Sequence, residues 1–194
     1  MKTTILKEQK FKSNFFKKVV LFLSVAIVTI SCNKDDNVAT TSGEGTANIV
    51  LTAGGQQFTI NGPCGFANAG GVKYIGANQS DNNLRAFSAN FNITDLPTST
   101  TTYTLVDDSL DENPTHITMS LTEISTSNPP KLTGWNSTEF SGNLTLVVTG
   151  NKYTVDLAGI TLAPNEPTSG FENGNVGAFA NNGTLTGTLT FYKQ

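Results

Sequence analysis

The stretch Leu144-Thr-Leu-Val-Val-Thr-Gly-Asn-Lys-Tyr-Thr-Val-Asp-Leu157 decides how this chain folds. Leu144, Leu146 and Val148 fall at alternate positions, with Thr145 and Val147 between them, and Tyr153, Val155 and Leu157 alternate with Thr154 and Asp156. A period of two is that of an extended strand with one buried face. Between the two runs stands Gly150-Asn151, a pair for which positive φ is cheap, as hairpin turns that match strand twist require. Working outward, the same alternation runs through Phe87, Ala89, Phe91 and Ile93, through Ile117, Met119 and Leu121, through Ile160 and Leu162, and through Leu185, Gly187, Leu189 and Phe191. Thr fills many of the outward positions, where a β-branched polar residue suits an exposed pleat. Gly54-Gly55 and Asn182-Gly183 mark further turns, while Pro129-Pro130 and Pro164 to Pro167 punctuate longer connections. From Ala47 onward no run of i, i+3, i+4 apolar spacing is long enough for a helix. About eight to ten strands in roughly 145 residues predict an all-β fold: a single antiparallel β-sandwich, with a β-barrel as the alternative. A short echo, Phe66-Ala-Asn-Ala-Gly70 against Phe179-Ala-Asn-Asn-Gly183, hints at a repeated hairpin.

Ahead of this domain the composition changes. Six lysines, at positions 2, 7, 10, 12, 17 and 18, precede the apolar run Val19 to Ile30. A basic region, an apolar stretch of about 12 residues and small residues before a processing point make a secretory signal. A transmembrane helix needs about 20 apolar residues, more than this run supplies. Loss of residues 1 to 31 removes those six lysines and Glu8; of twelve basic and fifteen acidic residues, six and fourteen remain, a balance of about −8. Such a surface repels nucleic acid, which is excluded as a partner. Residues 37 to 46, with almost no apolar bulk, read as a tether that keeps the domain within roughly 20 Å of its attachment point. The predicted organisation is therefore a signal over 1–31, a modified Cys32 with its tether over 32–46, and one domain over 47–194.

Thr29-Ile-Ser-Cys32 resembles the bacterial lipobox, a small residue before an obligatory cysteine, with Thr29 where an apolar residue is commonest. Asn33-Lys-Asp-Asp36 directly after it is similar to the export signal of Bacteroidota surface lipoproteins. The resemblance implies a diacylglycerol thioether on Cys32, membrane attachment through that lipid, and an outer-membrane protein displayed at the cell surface. The domain itself resembles, in texture, the small β-rich domains of such lipoproteins, with their Thr-rich strands and a closing segment like Gly183-Thr-Leu-Thr-Gly-Thr-Leu-Thr-Phe191. Two cysteines in an exported protein would ordinarily suggest a disulfide. With Cys32 lipidated, Cys64 has no partner in the chain and reads as a small buried apolar residue.

Residues able to carry chemistry are few. His116 is the only histidine, and no Gly-x-Ser-x-Gly elbow accompanies it, so a Ser-His-Asp triad has no support. His116 and Cys64 alone do not make a zinc site, and no metal or cofactor is expected. The acidic run Asp107-Asp-Ser-Leu-Asp-Glu112 lacks the spacing of a calcium loop and reads as a solvated turn. Within it Asp108-Ser109-Leu110 resembles the site at which exported Bacteroidota proteins are O-glycosylated, which marks Ser109. Asn-x-Ser/Thr triplets at Asn78, Asn92, Asn136, Asn143 and Asn182 carry little meaning in a bacterial protein. Sugar rings stack on exposed aromatics, and Trp135 and Tyr74 are the candidates for a ligand surface.

The sequence thus predicts a non-enzymatic, membrane-anchored lipoprotein with a ligand- or glycan-binding β domain, whose partners are the membrane and a glycan or protein. One alternative is a structural or protein-interaction subunit of an envelope assembly, which calls for an exposed apolar patch or an unpaired edge strand. Another is a carboxylate-based hydrolase, which calls for two facing acidic side chains.

Overall fold

A computed structural model describes residues 45–69, 72–80, 83–107, 112–166 and 169–193. The signal, Cys32, most of the tether and Ser109 lie outside them. The chain forms β1 (Gly45–Ala53), β2 (Gln56–Ala69), β3 (Val72–Ser80), β4 (Asn83–Phe91), β5 (Thr101–Leu105), β6 (His116–Ser125), β7 (Lys131–Asn136), β8 (Asn143–Thr149), β9 (Lys152–Asp156), β10 (Thr161–Pro164), β11 (Glu172–Asn173) and β12 (Gly183–Tyr192). One turn of 3₁₀ helix, Gly177–Ala180, precedes β12. The all-β expectation is met, and β1 opens two residues ahead of the boundary read from composition.

The hairpins form where the turn residues stand. Ala53 pairs with Gln56 across Gly54 and Gly55, whose φ angles of 53° and 81° only glycine adopts without strain. Thr149 pairs with Lys152 across Gly150-Asn151. The echo at Phe66 and Phe179 is no repeat, because Phe66 lies within strand β2 and Phe179 in the 3₁₀ turn.

The architecture is a closed barrel in place of the sandwich expected first. Nine strands run in the order β1-β2-β3-β4-β6-β5-β8-β9-β12, and β12 pairs back onto β1 from Thr46↔Thr190 to Ala53↔Gly183. That last ladder separates barrel from sandwich, since a strand bonded on both sides leaves no edge. β6 and β12 are each shared along their length. At one end β5, β8 and β9 bridge them; at the other, β7 and β10 do so, with β7 on Ser120 to Ile124 and β10 on Gly183 and Thr184.

Alternation directs the apolar residues inward, where they fill the barrel. Ile49, Leu51, Phe58, Ile60, Ile75, Phe87, Phe91, Leu121, Leu146, Val155 and Leu189 join one core cluster. Tyr153 stacks on Phe191 at 5.3 Å, and Phe91 meets Tyr103 edge-on at 5.0 Å. Buried apolar side chains thus line the inside of the barrel as its core. The outer face carries Thr46, Thr52, Thr145, Thr154, Thr184, Thr188 and Thr190, apolar inside and polar outside, the reverse of a membrane-spanning barrel.

The two ends differ. β1 starts at one end, beside Cys64 and close to Thr190, and runs to the other. That far end carries the β1–β2 hairpin, the β3–β4 connection and the β6–β7 connection, and is called the hairpin end below.

Candidate functional site

At the hairpin end the inward-facing positions turn polar. Arg85 has the parity of Phe87, Ala89 and Phe91, and Glu123 that of Ile117, Met119 and Leu121, so both side chains are set toward the interior by the alternation that builds the core. The register places Gln79, Arg85, Glu123 and Thr133 side by side on β3, β4, β6 and β7. Four polar residues in one row, on the core side of four adjacent strands, interrupt an otherwise apolar lining.

Arg85, the only arginine of the chain, holds the centre of the row. Its Nε donates to Glu123 Oε2, and its Nη1 donates to the Thr59 carbonyl of β2 at 3.2 Å. The guanidinium carbon stands 4.7 Å from the centre of the Phe58 ring, a cation over a π-face. Beneath lies an aromatic plug: Phe58 meets Trp135 at 5.2 Å, and Trp135 meets Phe179 at 5.4 Å with the rings perpendicular. Gln79 Oε1 accepts from the Asn61 amide at 3.0 Å, tying β3 to β2 beyond the end of their ladder. The Arg85 and Glu123 side chains keep 25% and 14% exposure, so neither is closed to solvent. Among the described residues Glu123 is the one half-buried acidic residue, the others being exposed.

Several residues singled out by sequence lie elsewhere. Trp135 is not at a surface: it is fully buried, and its Nε1–H donates to the Asn181 carbonyl at 3.2 Å. The strand around it is covered from outside, because the Gly134 amide donates to Asn175 Oδ1 and Gly174 packs on Leu132 and Thr133. Tyr74 is also out of solvent, at 4% exposure, on the opposite face of β3 from core residue Ile75. Its ring lies over Gly76, where a Cβ would come within 3.0 Å of Cε2, so the glycine supplies the space that hides it. Tyr74 Oη and Asn78 Oδ1 are both buried without a hydrogen-bond partner. The exposure a stacking platform needs is absent at both aromatics.

Cys64 is buried, as a small apolar residue should be, and its Sγ–H donates to the Thr190 carbonyl at 3.3 Å. Burial pushes its thiol up to about 11, against the opposing effect of that backbone bond. His116 starts β6 at the surface, its Nε2 3.1 Å from Asn113 Nδ2. Asp107 and Glu112 flank the undescribed part of the acidic loop. No group of three or more His, Cys, Asp or Glu side chains suited to a metal occurs among the described residues.

Reading from the core pattern alone would have reached the Arg85 row. The apolar alternation extends backward from Phe87 to Arg85 and forward from Leu121 to Glu123, so a charge at either position is a charge on the core face. Comparison with protein-family models, with curated proteins and with solved structures finds no match to this chain.

Proposed function

We infer that the protein is a lipoprotein, tethered to the outer membrane through Cys32 and displayed at the cell surface, whose barrel is a non-catalytic ligand-binding module. The observation that carries this reading is the position of the Arg85–Glu123 pair. It occupies the barrel end opposite the start of β1, and the segment from Cys32 to Gly45 joins the domain at that start. A lipid on Cys32 therefore attaches at the barrel end opposite the pair, which leaves the hairpin end free to face away from the membrane. A partly shielded charge pair on a rigid wall is a recognition element already held in place.

The hydrolase alternative draws least support, because the one shielded carboxylate among the described residues faces an arginine and not a second carboxylate. An interaction subunit is favoured by one feature, Phe140. It is 90% exposed on a turn fixed by Thr138 Oγ1, which accepts from the Phe140 amide at 3.2 Å, and by Ser141 Oγ, which accepts from the Thr138 amide at 2.8 Å. A large apolar side chain on a braced turn suits a protein contact.

Mass spectrometry of the full-length protein from membranes tests the anchor: a diacylglycerol thioether on Cys32, lost with Cys32→Ser, is expected, and an unmodified Cys32 would overturn it. Protease treatment of intact cells then separates surface display from an inward-facing domain. For the binding site, thermal unfolding of wild type and Arg85→Ala in a panel of small solutes should show stabilisation of wild type alone. Phe140→Ser should leave that response unchanged. If it is instead Phe140→Ser that abolishes a specific partner contact, and no solute acts, the interaction reading stands.

A further inference from the structure

The hydrogen-bonding capacity left open at the hairpin end defines the ligand more narrowly, and the inference rests on that end being the binding end. Arg85 spends Nε on Glu123 and one Nη1 proton on Thr59, and its Nη2 protons have no partner among the described residues. Glu123 accepts through Oε2, while Oε1 retains its lone pairs. With 25% and 14% of their side chains exposed, the two residues together retain unfilled donors and an unfilled acceptor, with a net charge near zero.

A ligand that fits must offer an acceptor and a donor next to each other. An anion meets the donors but also meets the Glu123 carboxylate, inside a domain whose balance is about −8. A cation is opposed by Arg85. An apolar ligand would strand both charges without water. Two neighbouring hydroxyls satisfy both partners, since each hydroxyl donates once and accepts twice. The rim adds apolar surface: Val176, 61% exposed, lies on the segment that caps this end, where Gly174 packs on Thr133 and Ala178 against Gly54. C–H faces of a sugar ring need such a neighbour.

We propose that the hairpin end binds neutral carbohydrate, reading a vicinal diol with Arg85 and Glu123, in place of the aromatic stacking that Trp135 and Tyr74 are too buried to supply. The pair acts as a unit, with Phe58 and the Thr59 carbonyl fixing the guanidinium plane so that little freedom is lost on binding.

The test uses the full-length protein in a detergent without sugar headgroups. Probes are methyl glycosides of glucose, galactose and mannose with neutral oligosaccharides of each, their singly deoxygenated analogues, glucuronate, and inorganic phosphate. Titration calorimetry and saturation-transfer NMR compare wild type, Arg85→Lys and Glu123→Gln, each checked for folding by circular dichroism. A neutral saccharide should bind. Removing one hydroxyl of the diol, or introducing Glu123→Gln, should weaken it by about tenfold or more, as loss of a hydrogen bond to a charged group does. Phosphate or glucuronate binding that Glu123→Gln strengthens and Arg85→Lys abolishes would overturn the neutral-ligand proposal in favour of an anion site at this end. Saccharide binding indifferent to both variants would overturn the placement. Silence from every probe would overturn the carbohydrate proposal, and the small-solute unfolding panel then decides the ligand reading on its own.

Discussion

The guanidinium carbon of Arg85 stands 4.7 Å above the ring of Phe58, whose own ring meets Trp135 at 5.2 Å, so the charged row and the aromatic plug are one packed unit. Arg85 and Glu123 are neither fully exposed nor fully buried, and their coupling should fall between the small value of a surface pair and the large penalty of a buried one broken on one side. A double-mutant cycle with Arg85→Met and Glu123→Gln, read by urea unfolding, should give a coupling of about 1–2 kcal/mol. A coupling indistinguishable from zero would mean that the row is solvated and does not hold its geometry.

Trp135 is central to that unit and fills the barrel end. Trp135→Ala should cost about 3–5 kcal/mol, the usual penalty for emptying a large aromatic site in a core. Trp135→Phe keeps most of the volume but leaves the Asn181 carbonyl without its indole donor, at a cost of about 1 kcal/mol beyond the lost area. Thermal and urea unfolding of the two variants separate packing from hydrogen bonding. A stable Trp135→Ala protein would contradict the buried placement.

Alkaline pH should weaken the fold. The Cys64 thiol moves from its ordinary 9.0 to about 11 on folding, and burial also raises Tyr103, helped by the nearby Tyr153, and Tyr153 itself. Each group holds its proton more tightly when folded, so the native state binds more protons than the unfolded chain above about pH 9 and stability falls as pH rises. The Cys64 contribution is complete below pH 9 and gone above about 11. Urea midpoints measured from pH 7 to 11 should stay level to about pH 8 and then decline, with a shallower decline in Cys64→Ala. An equal slope in that variant would take the thiol out of the account.

Gly62 lies two residues before Cys64, where β2 changes partners from β1 to β3. A Cβ here would lie 2.1 Å from the Asn78 carbonyl oxygen, a backbone atom that cannot rotate away. Gly62→Ala should therefore destabilise the protein by about 1–3 kcal/mol or more through overpacking. Gly55→Ala meets nothing within 4 Å and is penalised only for its φ of 81°. Comparing the two by thermal unfolding separates steric crowding from backbone strain.

Much of this was legible in the chain. The period of two placed Leu144, Leu146 and Val148, and Tyr153, Val155 and Leu157, on one face, and the structure puts all but half-buried Val148 in the core proper. Gly54-Gly55 and Gly150-Asn151 named two hairpins that form there. Trp135 was harder. Its neighbours Gly134 and Asn136 look like loop residues, but β7 is covered on both faces, so polar residues beside a core position have partners that no local window contains.

Alternation and turn chemistry act over a few residues, so the strands, their turns and the inward-facing side chains can be read along the chain. Parity with Phe87 and Leu121 commits even Arg85 and Glu123 to the core face. Closure of the sheet, completion of one end by β7 and β10, and the meeting of the two charges in register above Phe58 belong to the folded whole. Each of these rests on pairing between residues far apart in the chain, such as Thr46 with Thr190 and Arg85 with Glu123. The same alternation serves a sandwich and a barrel equally, and only hydrogen bonding between the first strand and the last distinguishes them.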